Sequence, residues 1–410
     1  MQRLLVPART ILAHRGFMVL LVCNVLLGLA YSFIGPFISI FGTLEVGMST
    51  LKFSVFMTIT ALSAVGLSTA LARWSDIHFS RRAMLLFSSA CGALGYVGYA
   101  FLRDMVWLTV VGSTVLAISS ITFSQLFAHA RELLTLSKVP PRETPLYMNV
   151  FRLFFALSWT VGPAIAAWVM GLYSFRGMFL IAASLFVLLW LVVFFFIPGT
   201  PPVAADEASH IPLRQALRSP ELLAYFSGFV IIFTCLTLSM MNLPLLVLKT
   251  LGGTGQDIGI IYSVAPVFEL PFMFYFGLLA SRGDQTRIIR LGVILAVAYY
   301  ALLSLVQAPW HIYPVQILSA AMVAIVSGVA ITFFQNYLPG QAGTATNLYA
   351  NAQRIGSTTG YLLFSVADSL GYRGIFYVCT GLCALTLVLF YAVRPRPQLP
   401  EATAMPSAGA

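Results

Sequence analysis

Residues 177–197 have the sequence GMFLIAASLFVLLWLVVFFFI, a continuous apolar run without a charged side chain. A helix rises 1.5 Å per residue, so a helix over this run is about 30 Å long, which matches the hydrocarbon core of a bilayer. Lipid offers no hydrogen bonds to the backbone, and a lipid-exposed segment therefore has to satisfy its own N–H and C=O groups. The run predicts a transmembrane helix.

The rest of the chain has the same character. Of its 410 residues 59% are hydrophobic and 9% are charged, whereas soluble proteins have about 25% charged residues. The short alternating segments of a membrane barrel are absent from the sequence. This composition excludes a soluble enzyme and predicts an all-α membrane protein with twelve transmembrane helices. The predicted spans are 17–41, 51–72, 83–102, 107–131, 146–171, 177–197, 221–248, 257–280, 288–306, 312–336, 344–368 and 375–393.

The longest polar gap divides these spans into six and six. It runs over residues 198–220 and is rich in proline. We therefore predict an N-terminal six-helix bundle over 1–197, a cytoplasmic linker over 198–220, a C-terminal six-helix bundle over 221–393, and a disordered tail over 394–410. The chain is expected to be a monomer.

The distribution of basic residues predicts the orientation. With the N-terminus inside, 16 of the 23 Lys and Arg residues fall in inner segments, 5 fall in outer segments and 2 lie within spans. Cytoplasmic loops are enriched in Lys and Arg, so both termini are predicted to be cytoplasmic in a bacterial inner membrane. The same bias explains the net charge of +10 without nucleic acid as a partner.

Metals and cofactors are not expected. The five cysteines lie in apolar runs and have no metal-type spacing, so they are interpreted as buried apolar side chains. No phosphate-binding Gly-x-x-x-x-Gly-Lys-Ser/Thr loop occurs, and no nucleophile–base pair stands out. The sequence therefore predicts neither an enzyme nor a transporter that hydrolyses ATP.

The two halves repeat each other. The loops after the second and the eighth span each hold an Asp six residues before an Arg, and the sixth and the twelfth span open with similar Phe/Tyr-Arg-Gly sequences. The fifth and the eleventh span share a Tyr-x-Asn-x-x-Arg motif, formed by Tyr147, Asn149 and Arg152 and by Tyr349, Asn351 and Arg354. Repeats at matching places predict two pseudo-symmetric bundles.

Glu269 is the carboxylate nearest to mid-membrane. It lies 12 residues after Asp257 in the eighth span, between two prolines. A charge inside the bilayer costs at least about 2.5–3.5 kcal/mol, so Glu269 is expected to face a partner or a water-filled cavity. Desolvation favours the neutral form of a carboxyl group, which suits a proton carrier. The alternative is a structural ion pair or a hydrogen bond to a neighbouring helix.

Other polar and aromatic side chains in the spans are candidates for a binding cavity. Arg and Asn three residues apart share a helix face, so each repeated motif forms one polar patch. The alternatives are contacts between helices for the amides, snorkelling for Arg152, and lipid-facing packing for the aromatic rings. The candidates are Asn24, Tyr31, Gln125, Asn149, Arg152, Trp159, Asn242, Gln335, Asn351 and Arg354.

Acidic and basic residues also recur at the inner ends of the second and the eighth span. They are Asp76 with Arg82, and Asp284 with Arg290. A carboxylate held against arginines there is a candidate latch between the two bundles in the outward-facing state. The alternative is ordinary charge that sets the topology.

Four stretches resemble bacterial sugar efflux transporters of the Set type, a family of the major facilitator superfamily. They are SQLFAHARE at 124–132, Arg152 followed by Trp159 and Gly162-Pro163, FELP at 268–271, and FQNYLPGQAG at 334–343. One feature departs from the general superfamily motif Asp-Arg-x-Gly-Arg-Arg, because Asp76 stands one residue further from Arg81 and Arg82.

The resemblance implies a secondary transporter that exports sugars, glycosides or sugar analogues by exchange with protons, with alternating access to a site between the bundles. Its partners would be a small sugar, a proton and the lipid bilayer. The alternative is a proton-coupled exporter of drugs or other amphiphiles, which would need a wider and more apolar cavity. A membrane sensor and a membrane-embedded enzyme are the remaining classes, and no sequence feature favours either.

Overall fold

The structure is a computed structural model that describes residues 15–78, 80–137, 139, 144–198, 219–338 and 342–393. These residues form helices joined by short connections, and within them no strand occurs. Most of the predicted linker and the whole predicted tail lie outside the described residues. The assigned domain boundaries therefore stay predictions.

Ten continuous helical stretches are long and apolar enough to cross a membrane, and two of them are about twice the length of a single span. Tyr147–Phe196 has 50 residues and Thr344–Ala392 has 49, so each would be about 75 Å long if straight. Both are interrupted by a residue with positive φ, Ser174 at 58° and Gly371 at 71°. Each stretch is therefore two spans, and the prediction of twelve transmembrane helices is confirmed.

The N-terminal bundle contains the first six helices. They are α1 (Gly16–Glu45), α2 (Thr50–His78), α3 (Arg81–Phe101), α4 (Met105–Leu136), α5 (144–173) and α6 (175–196). The C-terminal bundle repeats this arrangement. Its helices are α7 (Pro220–Thr250), α8 (Gly255–Arg282), α9 (Gln285–Leu305), α10 (Pro309–Tyr337), α11 (342–370) and α12 (372–392).

Equivalent helix pairs form the centre of each bundle. α1 packs on α5, and α7 packs on α11. A Cβ atom at Gly28 of α1 would lie 2.8 Å from the side chain of Ser158 on α5, and one at Gly360 of α11 would lie 2.7 Å from the carbonyl oxygen of Thr234 on α7. Only glycine permits these approaches, and small residues let membrane helices pack closely.

The membrane has two sides in this topology. We call the side on which α1 begins and α12 ends the terminus side, and the opposite side the far side. Each helix crosses once, so the α2–α3, α4–α5, α8–α9 and α10–α11 connections lie on the terminus side. The breaks at Ser174 and Gly371 lie on the far side.

The two bundles touch at the far side. The backbone N–H of Thr50 on α2 donates to Asp368 Oδ2 on α11 at 3.1 Å, and the Thr50 hydroxyl donates to the carbonyl of Ser365 at 3.2 Å. The rings of Phe53 and Phe364 meet edge to face beside them, with centroids 5.7 Å apart. We call this group of five residues the far-side contact. It joins the bundles at one end of the molecule.

Candidate functional site

A cavity of about 770 Å³ lies between the two bundles. Its walls come from α1, α2, α3, α4 and α5 on one side and from α7, α10 and α11 on the other. Pockets that hold small molecules measure about 300–1,000 Å³. The cavity is therefore large enough for a small-molecule ligand, and both halves of the chain contact it.

The cavity wall is polar and aromatic but carries no formal charge. Among its lining residues in the described part of the chain there is no Asp, Glu, Lys or Arg. The C-terminal bundle supplies hydroxyl and amide groups, and the N-terminal bundle supplies most of the rings. The polar and aromatic residues used below are Tyr31, Trp159, Thr237, Tyr349, Gln353 and Ser357. Such a wall suits a neutral ligand that both donates and accepts hydrogen bonds.

Trp159 lies at a point where the two bundles meet beside the cavity. Its ring lies over Gly35, at which α1 changes from an α-helix to a 3-10 turn before Pro36. A Cβ atom at Gly35 would lie 3.1 Å from the Trp159 ring and 2.9 Å from the methyl group of Met240 on α7. Gly35 therefore leaves the space that the indole occupies. Tyr31, one turn earlier in α1, also lines the cavity as the sequence predicted.

Charged groups lie on the terminus side of the cavity. Arg152 on α5 and Glu269 on α8 both lie within electrostatic range of the hydroxyl of Tyr349, which lines the cavity from α11. Arg152 is exposed and Glu269 is half-buried. Within the described ranges, no ion pair joins either side chain to a partner. A carboxylate and a guanidinium from different bundles thus share one neighbour without being paired.

Asn24 and Asn242 lie outside the cavity, which corrects the expectation that they line it. Both are fully buried. The side-chain amide of Asn24 donates to the carbonyl of Phe151, and that of Asn242 donates to the carbonyl of Tyr372 at 2.7 Å. They hold helices together inside their own bundles, which was the alternative interpretation.

Gln125 and Gln335 are also outside the cavity lining. Arg81 donates to Gln125 at 3.3 Å, and Gln335 donates to Thr346 at 3.4 Å. Arg81 also pairs with Glu132 at 2.6 Å. These contacts join α3 to α4 and α10 to α11, so both amides serve helix packing.

Asn149, Arg152, Asn351 and Arg354, which were expected to line the cavity, do not line it either. On α11 the cavity face is formed by Tyr349, Gln353 and Ser357, which recur every fourth residue. Asn351 follows Tyr349 by two residues, a rotation of about 200°, so its side chain leaves on nearly the opposite side of the helix. The repeated Asn and Arg do share a helix face, but it is not the one that faces the cavity.

The predicted latch residues make contacts inside their own bundles. Arg82 donates to the carbonyl of Phe194 at 2.6 Å, and Arg290 donates to the carbonyl of Phe390 at 2.7 Å. Asp284 accepts from the N–H of Thr286 at 2.8 Å at the start of α9. The side chain of Asp76 lies outside the described residues. The latch therefore stays a prediction, and the contacts present here tie each arginine to the last helix of its bundle.

Several cavity residues were missed in the sequence, chiefly Thr237, Gln353 and Ser357. Single Ser and Thr residues are common inside membrane helices, where their hydroxyls bond to the preceding turn. A signal was nevertheless present, because Tyr349, Gln353, Ser357 and Tyr361 form a four-residue repeat along α11. That spacing marks one helix face.

Twelve membrane helices in two related bundles around a shared cavity define a secondary transporter, and not an enzyme. The sequence pattern of the Major Facilitator Superfamily matches residues 20–361 of this chain. The chain belongs to that superfamily. It is a multi-pass membrane protein that acts on a small molecule.

The chain is similar over nearly its whole length to proteins named for sugar efflux. A Deinococcus radiodurans protein classed with the sugar efflux transporters is 34% identical and covers 90% of this chain and 96% of its own length. Sugar efflux transporter A of Dickeya chrysanthemi is 30% identical and covers 91% and 94%. Multidrug resistance protein MdtG of Salmonella paratyphi C is 28% identical over 57% of this chain.

The solved structures with similar folds are more distant in sequence. The crystal structure of the nucleoside transporter NupG superimposes with a TM-score of 0.76, at 14% identity, and covers 92% of this chain and 98% of its own. At that identity the likeness establishes the fold alone. It agrees with the predicted pair of six-helix bundles.

Proposed function

We propose that this transporter exports sugars, glycosides or sugar analogues across the bacterial inner membrane. The observation that carries the proposal is the uncharged wall of hydroxyl, amide and aromatic groups around the shared cavity. A sugar hydroxyl both donates and accepts, which matches Thr237, Gln353 and Ser357. The C–H faces of a sugar ring pack on aromatic rings such as Trp159 and Tyr31. The names of the full-length relatives support the same substrate class.

The orientation follows from the distribution of basic residues. The terminus side carries most of the Lys and Arg residues and is therefore the cytoplasmic side. The close contacts between the bundles lie at the far side, which is then periplasmic. We interpret the structure as an inward-facing state in which a sugar enters the cavity from the cytoplasm. A monomer suffices, because one chain forms both walls of the cavity.

Glu269 is the proposed proton-coupling residue. It is half-buried, lies within electrostatic range of the cavity-lining Tyr349, and forms no ion pair with another described residue. It would take up a proton when the site faces the periplasm and release it to the cytoplasm. Proton entry would then drive sugar out.

Inside-out vesicles provide the test of the substrate. Addition of radiolabelled lactose, glucose or arabinose with an imposed pH gradient should give uptake into the vesicles. Gln353→Ala should lower the transport rate at limiting sugar by about 10- to 100-fold, which corresponds to one or two lost hydrogen bonds. Gln335→Ala is the matched control, since it removes the same amide outside the cavity and should change the rate little. Equal effects of both variants would reject the site.

A second substitution tests the coupling. Glu269→Gln should abolish export driven by a pH gradient while sugar-for-sugar exchange continues, because the neutral amide cannot carry a proton. Unchanged pH-driven transport in this variant would reject Glu269 as the coupling group.

The second candidate function is export of drugs or other amphiphiles. It is favoured by the sulfur-rich apolar part of the cavity wall, formed by Met57, Met240 and Met241. The absence of a carboxylate from the described lining argues against cationic drugs. Vesicle uptake of dyes without uptake of any sugar would establish this alternative.

A further inference from the structure

We propose that Arg152 and Glu269 form a charge pair between the two bundles when the terminus side closes, and that protonation of Glu269 releases it. The inference rests on the proposed coupling role of Glu269 and extends it to the conformational change. In this proposal Arg152 binds Glu269 only when Glu269 is deprotonated.

The packing of α5 on α8 fixes which residues face each other. The helices run in opposite directions and touch at the far side. There a Cβ atom at Gly255 would lie 2.6 Å from Met170, and one at Gly259 would lie 2.7 Å from Ala167. Each step toward the terminus side along α8 therefore matches a step backward along α5. Glu269, ten residues beyond Gly259, is then level with about residue 155 of α5, roughly 4.5 Å from the level of Arg152.

Both residues also lie on the helix faces that make this contact. Arg152 precedes Pro163 by 11 residues, which is about three helical turns, and the carbonyl of Pro163 approaches Gly259. Glu269 follows Gly255 by 14 residues, which is about four turns. If the contact between α5 and α8 extends toward the terminus side, it brings the guanidinium and the carboxylate together.

In the present conformation that extension has not formed. Arg152 is exposed, and within the described chain it makes no ion pair with Glu269. Gly277 lies about two turns beyond Glu269 on α8. A Cβ atom added at Gly277 would have no atom of another helix within 4 Å. The face of α8 that packs on α5 at Gly259 is therefore open at Gly277, which lies about five turns further along the same face. The proposed pair belongs to the opposite state of the transport cycle.

Other titratable groups around Glu269 do not provide a competing partner. Tyr349 on α11 is the neighbour that both charges share. Other titratable groups of the surrounding helices have partners of their own: Tyr262 bonds to Met240, Tyr313 to Asp257, Tyr299 to Gln316, Arg290 to Phe390, and Arg287 pairs with Asp284. Tyr31 and Tyr361 line the cavity, and Tyr300 is buried inside the C-terminal bundle. Arg354 is exposed and lies on α11, next to the cavity-lining Gln353 and not on α5. Arg152 is the cation of α5, the helix of the N-terminal bundle that packs on α8.

The protonation cycle follows from the charges. Loss of the proton to the cytoplasm leaves a carboxylate on Glu269, which attracts Arg152 and closes the terminus side. A proton that enters from the far side neutralises the carboxylate. The neutral acid no longer holds the guanidinium, and the terminus side reopens. The pair therefore forms in the state that faces the periplasm.

Distance measurements between spin labels test the proposal without any sugar. Labels at Leu136 on α4 and Leu279 on α8 report the distance between the two bundles at the terminus side. Both residues are exposed, and each lies near the terminus-side end of its helix. The half-buried Cys91 is replaced by alanine, and the other four cysteines are buried. The full-length protein in nanodiscs should show a shorter-distance population at about pH 8 that is lost at about pH 4, where a free glutamate side chain, with a pKa of about 4.3, is mostly protonated.

Four variants identify the pair. Glu269→Gln and Arg152→Gln should both lack the shorter-distance population at about pH 8, and the charge-swapped Arg152→Glu/Glu269→Arg protein should regain it. Arg354→Gln is the control for this distance readout, since it removes an arginine of α11 that is off the contact. The pH dependence of the label distance in the parent protein tests the proposal even if a variant fails to fold.

The outcomes separate this inference from the proposed function. Retention of the parent distance change in Glu269→Gln or Arg152→Gln would overturn the charge pair, whatever the substrate. A distance change that requires both residues in a protein that transports no sugar would support the pair and reject the substrate assignment. A parent protein whose label distance is the same at both pH values would overturn the pair even if sugar export is intact.

Discussion

Ser174 and Gly371 are equivalent residues with different side chains. Each breaks a long helical stretch into a hairpin on the far side, and each has an extended ψ with a positive φ, at 58° and −173° for Ser174 and at 71° and 156° for Gly371. This region of backbone space belongs almost only to glycine, and other residues there carry about 1–3 kcal/mol of strain. The N-terminal hairpin therefore holds strain that its C-terminal counterpart does not.

Exchange of these residues tests the strain. Ser174→Gly should raise the free energy of unfolding by about 1 kcal/mol, since relief of the strain exceeds the entropy lost by glycine. The apparent melting temperature in detergent measures the change. Gly371→Ala is the mirror control and should lower the melting temperature. A stability loss in both variants would mean that the serine hydroxyl contributes more than the backbone strain.

Single residues also show where the sequence was informative about the cavity. Tyr31 and Trp159 are large and amphipathic, and each lies in a span, so their type pointed to the cavity. Asn24 and Asn242 have the same chemistry as a ligand-binding amide but bond to backbone carbonyls. Residue type does not reveal which way a side chain points. A side-chain amide donates to a backbone carbonyl of a neighbouring helix as readily as to a ligand.

At the scale of helices, the repeated arginines close the end of each bundle. Arg82 lies in the first turn of α3, and Arg290 lies in the second turn of α9. Each donates to a carbonyl near the end of the last helix of its bundle. The final carbonyls of a helix have no partner within it, and a cation there also interacts favourably with the helix dipole. Arg290 in addition lies 4.5 Å from the ring of Tyr391.

Removal of one of these arginines should therefore destabilise its bundle. Arg290→Gln is expected to lower the free energy of unfolding by about 1.5–3 kcal/mol, the usual range for a hydrogen bond that involves a charged group. Thermal unfolding of the purified protein measures it. Arg287→Gln is the control one turn earlier, where an exposed ion pair to Asp284 at 3.5 Å contributes at most about 1 kcal/mol. Equal losses would contradict a specific role for the Phe390 carbonyl.

Helix periodicity explains how much of the site could be predicted. The span positions follow from apolar length, and the repeats indicate which helices are equivalent. The face of each helix that looks inward is set by neighbours distant in sequence, such as α1 on α5 and α7 on α11. A heavily apolar helix has no polar stripe to mark that face, which is why Asn351 and Arg354 were assigned to the cavity and Gln353 was not.

At the scale of the whole molecule, the fold was predictable because the bilayer constrains it. Length, apolar runs and repeated motifs fixed twelve spans in two bundles. The conformational state was not predictable, because one sequence serves every state of the transport cycle. The far-side contact, in which Asp368 of one bundle accepts from Thr50 of the other, belongs to one of those states.

Loss of the Asp368 carboxylate should shift the equilibrium between states with a closed and with an open far side. Asp368→Ala removes the acceptor for the Thr50 N–H and is expected to increase the population with an open far side. Spin labels at Val106 and Trp310, both exposed at the far-side ends of α4 and α10, should then lie further apart. Asp368→Asn keeps an acceptor oxygen and should stay close to the parent. An unchanged label distance in Asp368→Ala would mean that the Phe53–Phe364 packing closes this side without the carboxylate.

The uncharged cavity wall has an energetic consequence for the cell. A neutral ligand that leaves in exchange for one proton moves one positive charge inward per cycle, so transport would generate current. The membrane voltage would then add about 2.3 kcal/mol per 100 mV to the driving force. Export would continue in an alkaline medium where the proton concentration gradient has vanished, for as long as the interior stays electrically negative.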